Sequence, residues 1–126
     1  MIDIIPKKIL IAEDENAIGK ALQLKLEHLG FDVEIAANGE EALTALKKTK
    51  FDLMLLDIMM PKIDGFGVLA GLKELDYKPI IFISSNLSQQ SDRDKAVNLG
   101  ADDFLVKSDV SLKEIVDKVK QALNLE

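Results

Sequence analysis

The 126 residues suit one compact domain, and a composition of 48% hydrophobic and 30% charged residues excludes a disordered polar chain. A net charge of −6 sets up a field that repels phosphate backbones and disfavours acidic protein surfaces, so unaided nucleic-acid binding is not expected. There is no cysteine to form disulfides or thiolates, Met1 to Lys8 is too short and polar for a signal peptide, and no apolar run is long enough to span a bilayer; a cytoplasmic location with no membrane contact is expected.

Lys8 to Ala12 is a continuous apolar run that ends at acids, the pattern of a strand covered on both faces. From Ile18 onward, Ile18, Leu22, Leu26 and Leu29 recur at helical spacing, and Gly30 stands where a left-handed cap is needed. Val33 to Ala36 predicts a second strand. Asn38 then caps a helix with Glu40 and Glu41 in its first turn and Lys47 and Lys48 in its last, which matches the helix dipole. Phe51 to Leu56 is the most apolar strand candidate and ends on Asp57, ahead of Met59-Met60-Pro61 and an Asp64-Gly65 turn.

A helix is predicted from Gly65 to about Leu75, and Pro79 precedes a strand at Ile80 to Ile83. A polar stretch from Ser84 to Asp94 leads into Ala96, Val97 and Leu99, a weak helix that Gly100 ends. Phe104 to Val106 is the last strand. The final helix opens on the capping pair Ser111 and Glu114 and carries a stripe of Leu112, Ile115, Val116, Val119 and Leu123.

Alternation at this spacing gives about five βα units, and right-handed crossovers force them into a parallel sheet with helices on both faces, a doubly wound α/β fold. Such sheets carry their chemistry at the carboxyl ends of the strands. The residues at those ends are Glu13 and Asp14, then Asp57, Ser84 and Lys107.

Three carboxylates at one rim repel one another unless a cation sits among them, and an oxygen-only ligand set suits Mg²⁺, which also accepts a phosphate oxygen. Lys107 adds a positive charge and Ser84 a hydroxyl donor, both suited to a phosphoryl group. A carboxylate is a competent nucleophile for phosphoryl transfer, and Asp57, after the most buried strand, is the central candidate. Taken singly, an acid after a strand is more often a helix cap, Lys107 a surface lysine and Ser84 a turn residue. Convergence of all five at one end of the sheet favours the chemical reading.

Glu13-Asp14 after the first strand, DIMMPKIDG from Asp57 to Gly65, Ser84 after the fourth strand and Lys107 after the fifth resemble a response-regulator receiver of two-component signalling, similar to chemotaxis regulators, over essentially the whole chain. The resemblance implies a single flavodoxin-like sheet of order 2-1-3-4-5 in one domain, 1–126; no output region is read after the last helix, which suggests either a stand-alone regulator or a receiver cut from a longer protein. It implies that Asp57 takes a phosphoryl group from the phosphohistidine of a sensor kinase or phosphotransfer protein. It further implies Mg²⁺ held by Glu13, Asp14, Asp57 and the Met59 carbonyl, with Lys107 on the phosphoryl group.

By the same resemblance, Ser84 and Phe104 form a switch in which the aromatic ring turns inward, altering the surface around the fourth helix and fifth strand for a downstream protein target or a phosphorylation-dependent homodimer. The poor helix propensity of Asn86 to Asp94 suits a segment that shifts, and it equally suits an ordinary surface loop. Such a protein assists its own phosphorylation and is not an enzyme in the turnover sense.

The chain departs from the family pattern at several places. Glu13 stands where aspartate is usual, Ser84 where threonine is usual, and Ser108 replaces the proline that usually follows the lysine. The last change implies that Lys107 is aimed differently or that the Lys107-Ser108 bond is a strained cis bond. Met59 and Asn86 cannot act as strong bases, so slow self-dephosphorylation is expected.

His28, the only histidine, is expected on the surface, and Met54, Met59 and Met60 in packing. Ala17 and Leu24 fall outside the first helix's main stripe, which leaves room for a kinase docking spot there. A flavodoxin-like electron carrier is a rival, but Glu13-Asp14-Glu15 would repel a flavin phosphate. The other alternative is a phosphorylation-independent pseudo-receiver that acts as a protein-binding module.

Overall fold

A computed structural model describes residues 5–87 and 89–123. Its elements, in order, are β1 (Lys8–Ala12), α1 (Asn16–His28), β2 (Asp32–Ala36), α2 (Gly39–Lys48), β3 (Leu53–Leu56), α3 (Gly65–Gly71) with a 3₁₀ turn at Leu72–Glu74, β4 (Ile80–Ser85), α4 (Gln90–Asn98), β5 (Asp103–Val106) and α5 (Leu112–Ala122). All strand pairs are parallel and the sheet order is β2-β1-β3-β4-β5, the doubly wound arrangement that the alternation predicted. Among the described residues no helix is long and apolar enough to cross a membrane.

The apolar runs are continuous because the sheet is buried on both faces. Leu10, Ala12, Met54, Leu56, Ile81, Ile83, Phe104 and Val106 point to one side, where they pack with Ala42, Leu46, Val68, Leu69 and Ala96 from α2, α3 and α4. Ile9, Ile11, Leu53, Leu55, Phe82 and Leu105 point to the other, against Leu22 and Leu26 of α1 and Ile115, Val116, Val119 and Leu123 of α5. The sheet thus divides the hydrophobic interior into two layers.

Local chemistry sets the ends of the elements. Asn38 accepts a hydrogen bond from the Glu41 N–H, Asp64 accepts one from the Gly67 N–H, and Ser111 and Glu114 form a reciprocal capping box. Gly30 and Gly100 have φ of 96° and 108°, the left-handed region that glycine enters without strain. At the base of the sheet the Tyr77 hydroxyl lies 2.9 Å from the Leu46 carbonyl and 2.7 Å from that of Thr49, and it accepts from the Phe51 N–H at 3.3 Å.

Several boundaries differ from the sequence expectation. α1 starts two residues before Ile18, because Asn16 and Ala17 complete its first turn on the solvent side. β3 starts at Leu53, since Phe51 and Asp52 belong to the approach, where the Asp52 side chain accepts the Lys8 N–H. The third helix ends at Gly71 and tightens into the 3₁₀ turn instead of running to Leu75. β4 runs on through Ser84 and Ser85, so Ser84 is in the strand itself. In α4 only Ala96 is buried; Val97, expected in the apolar stripe, is 57% exposed.

Candidate functional site

The backbone ladder continues one residue past the strands and carries the polar side chains to the rim. The Glu13 N–H donates to the Ala36 carbonyl at 3.0 Å, the Asp57 N–H to that of Ala12 at 3.0 Å, and the Lys107 N–H to that of Ser85 at 2.9 Å. Leu56 pairs with Ile83, so the next residues, Asp57 and Ser84, stand at the same level on neighbouring strands. Sheet pairing therefore fixes where these residues stand before any side-chain interaction is considered.

Carboxylate oxygens of Glu13, Asp14 and Asp57 all lie within 4.8 Å of one another. Glu13 and Asp57 are only 4% and 5% exposed, whereas Asp14 is exposed. The Lys107 ammonium reaches between the two buried acids, 2.7 Å from Glu13 Oε1 and 3.1 Å from Asp57 Oδ2, with Glu15 Oε1 at 3.8 Å on the open side. Asp57 Oδ1 accepts from the Met59 N–H at 3.3 Å, and Glu13 Oε2 accepts from the Glu15 N–H at 3.2 Å. Ser84 is buried, Phe104 is buried in the α2–α3–α4 layer, and the Met59 side chain is 61% exposed.

These contacts fix the electrostatics. Burial, reinforced by the charge of Asp57, pushes the Glu13 carboxyl up to about 7 against the opposing Lys107 contact. Burial alone would lower Lys107, but hydrogen bonding to Glu13 and the charge of Asp57 outweigh it and hold the ammonium above its ordinary value. A set of clustered oxygens, one of them facing solvent, fits a hard divalent ion such as Mg²⁺, with Glu13, Asp14 and Asp57 as the residues that would hold it.

The structure brings together Glu13, Asp14, Asp57 and Lys107, as the sequence predicts. Among the described residues no peptide bond is cis, so Lys107 reaches the acids across a trans junction with Ser108. Met59 touches Asp57 through its backbone N–H. Asn86 is exposed, and the Asn86 to Asp94 run includes Ser88, which lies outside the described residues. His28 is exposed, as are Ala17 and Leu24 on α1, while Met54 and Met60 are packed in the core. Two neighbours of the candidate residues carry no signal in the sequence: Glu15, which reads only as one acid of a run and lies 3.8 Å from the Lys107 ammonium, and Arg93, whose guanidinium lies 5.1 Å from the Phe104 ring centroid.

Residues 9–120 match the family model described as the response regulator receiver domain. Over 117 residues the chain is 43% identical to the "Probable transcriptional regulator ycf27" of Porphyridium aerugineum, covering 93% of this chain and 48% of that protein. It is 35% identical over 118 residues to the "Transcriptional regulatory protein PcoR" of Escherichia coli, covering 93% of this chain and 51% of the other. The chain thus spans about half the length of these curated relatives.

Among solved structures, a CheY-like receiver domain protein from Methanospirillum hungatei JF-1 superposes with a TM-score of 0.87 at 29% identity, covering 94% of both chains. The chemotaxis protein CheY4 of Vibrio cholerae superposes with a TM-score of 0.85 at 26% identity, covering 94% of this chain and 99% of that one. With its sheet order, its acidic rim and a family match over most of its length, the chain belongs to the response-regulator receiver family of two-component signalling.

Proposed function

We propose that the chain accepts a phosphoryl group on Asp57 from the phosphohistidine of a sensor kinase or phosphotransfer protein. The observation that carries this reading is the Lys107 ammonium 3.1 Å from Asp57 Oδ2, inside a cluster of three carboxylates at the sheet's rim. An Asp57 oxygen attacks phosphorus, the phosphorus–nitrogen bond of the donor breaks, the imidazole leaves, and an acyl phosphate remains on Asp57. Lys107 offsets the charge gathered on the transferring oxygens, and the Met59 N–H orients the carboxylate through Oδ1. Mg²⁺, when bound by Glu13, Asp14 and Asp57, supplies charge neutralisation and a ligand position for a phosphate oxygen.

Once phosphate is present, the Ser84 hydroxyl donates to one of its oxygens, and the β4–α4 segment follows. The Phe104 ring, expected to turn inward in response, already lies buried in the α2–α3–α4 layer, so in this reading phosphate holds an inward seat that the ring takes before it arrives. The response is passed to a downstream protein target through the surface around α4 and β5. Met59 and the exposed Asn86 offer no strong base to an attacking water, so the acyl phosphate is long-lived.

A second reading has one observation in its favour. Lys107 contacts both Glu13 and Asp57, so one cation already offsets part of the cluster's charge without a metal, which suits a phosphorylation-independent binding module. Incubation with acetyl phosphate and Mg²⁺, followed by intact-mass measurement, separates the two. The phospho-acceptor reading expects one phosphoryl group on the wild type and none on Asp57→Asn. Equal uptake by both proteins removes Asp57 as the acceptor, and uptake by neither favours the binding module.

A further inference from the structure

The helix that this reading sets in motion has an unusual grip on the rest of the molecule. Among its residues only Ala96 is buried, and its N-cap residue Gln89 makes no side-chain capping bond. Two cations on its surface face aromatic rings. The Arg93 guanidinium lies 5.1 Å from the centroid of Phe104 on β5, and the Lys95 ammonium lies 4.3 Å from that of Phe66 on α3. Among the described residues neither cation takes part in a salt bridge. Both distances fall within the range at which a ring's quadrupole attracts a positive charge.

We propose that Arg93 is a positioning residue for the switch: its guanidinium keeps the Phe104 ring seated in the core and ties that seat to the position of α4. The inference rests on the phospho-acceptor reading only for its consequence, not for the contact itself. Arg93 lies in the first turns of the helix that follows the segment leaving Ser84. Phe104 lies three residues before Lys107 on the strand that carries it to the site. The contact therefore joins the segments from which the two phosphate-facing side chains come. Lys95 on Phe66 holds the opposite flank of α4 to α3, so the helix is gripped from two sides by contacts that need charge rather than buried area.

A contact that exists in only one switch state shifts the equilibrium by its own differential strength, here about two- to five-fold for a partly exposed cation over a ring. The test uses the full chain with 4-fluorophenylalanine placed at position 104 alone, and in a parallel sample at position 66 alone, read by fluorine NMR without phosphate. Arg93→Gln keeps most of the stem and removes the charge at a half-exposed position, so folding is not at stake. It is expected to move the position-104 signal toward its solvent-exposed value and to slow phosphate uptake from acetyl phosphate about two- to five-fold. Arg93→Lys, which retains the charge, should restore both, and Lys95→Gln should move the position-66 signal and leave that of 104 in place.

An unmoved position-104 signal in Arg93→Gln, or an equal displacement in Arg93→Lys, overturns the contact. A moved ring with an unchanged uptake rate overturns its link to the switch. If the wild type takes up no phosphate, the Asp57 reading fails and the link falls with it, while the fluorine signals still decide the contact.

Discussion

The Lys107 ammonium sits closer to Glu13 Oε1, at 2.7 Å, than to Asp57 Oδ2, at 3.1 Å. The residue expected to face the phosphoryl group is thus shared, before phosphate arrives, between the proposed acceptor and a proposed metal ligand. Glu13, if it held a divalent ion, would be withdrawn from Lys107, and the ammonium would be left to Asp57.

Removal of Lys107 tests that sharing. Lys107→Ala leaves two buried carboxylates without their cation, and loss of one partner from a buried ion pair costs about 3 kcal/mol. Urea unfolding in a chelator should show a loss of that order, and millimolar Mg²⁺ should return much of it by taking the ammonium's place. A loss that Mg²⁺ leaves untouched would argue against metal binding at Glu13 and Asp57.

The raised Glu13 carboxyl gives a pH dependence of definite sign. The folded protein holds this proton up to about 7, above the ordinary carboxylate range near 4.5. The stability it contributes is therefore complete below that ordinary range and is lost as pH rises through about 7. Divalent ions need the deprotonated form, so Mg²⁺ affinity should climb with pH and level off above about 7. Calorimetric titration across that range checks the trend, and Glu13→Gln should weaken binding and flatten the profile.

Gly65 has no room for a side chain. A Cβ there would lie 2.6 Å from the Asp57 carbonyl oxygen and 2.7 Å from the Ile58 Cα, both backbone atoms that cannot swing away. Gly65→Ala is expected to cost about 2 kcal/mol by overpacking and to slow phosphate uptake by displacing the chain that follows Asp57. Chemical denaturation and uptake from acetyl phosphate measure the two effects separately.

Lys62, in the loop between β3 and α3, has φ of 70°, the only non-glycine residue with positive φ among those described. That region disfavours a residue with a Cβ, while glycine enters it freely at some cost in unfolded-chain entropy. Lys62→Gly should therefore gain about 0.5 kcal/mol. A thermal melt below that of the wild type would contradict this.

Strand positions and four of the five rim residues were legible in the sequence because a doubly covered parallel strand writes a continuous apolar run, and the residue after the run can only be at the rim. Glu13, Asp14, Asp57 and Lys107 follow directly from Ile9 to Ala12, Leu53 to Leu56 and Phe104 to Val106. Ser84 was identified, but its place inside β4 was not, because a serine gives no sign that it continues a ladder. α4 was hardest to read: of Ala96, Val97 and Leu99, Ala96 is buried and Leu99 is half-buried against the core, but Val97 is exposed, and two cations over rings add to the helix's hold. Contacts of that kind join residues distant in sequence and leave no periodic trace.

The Tyr77 hydroxyl holds one proton and faces two carbonyls, so it can donate to only one at a time while the Phe51 N–H engages its lone pair. Either choice pins the C-terminal end of α2 to the segment that leads into β3. That end of the molecule is cross-tied by a single side chain, so the proposed switch is expected to displace the loops at the opposite end and to spare the floor beneath them.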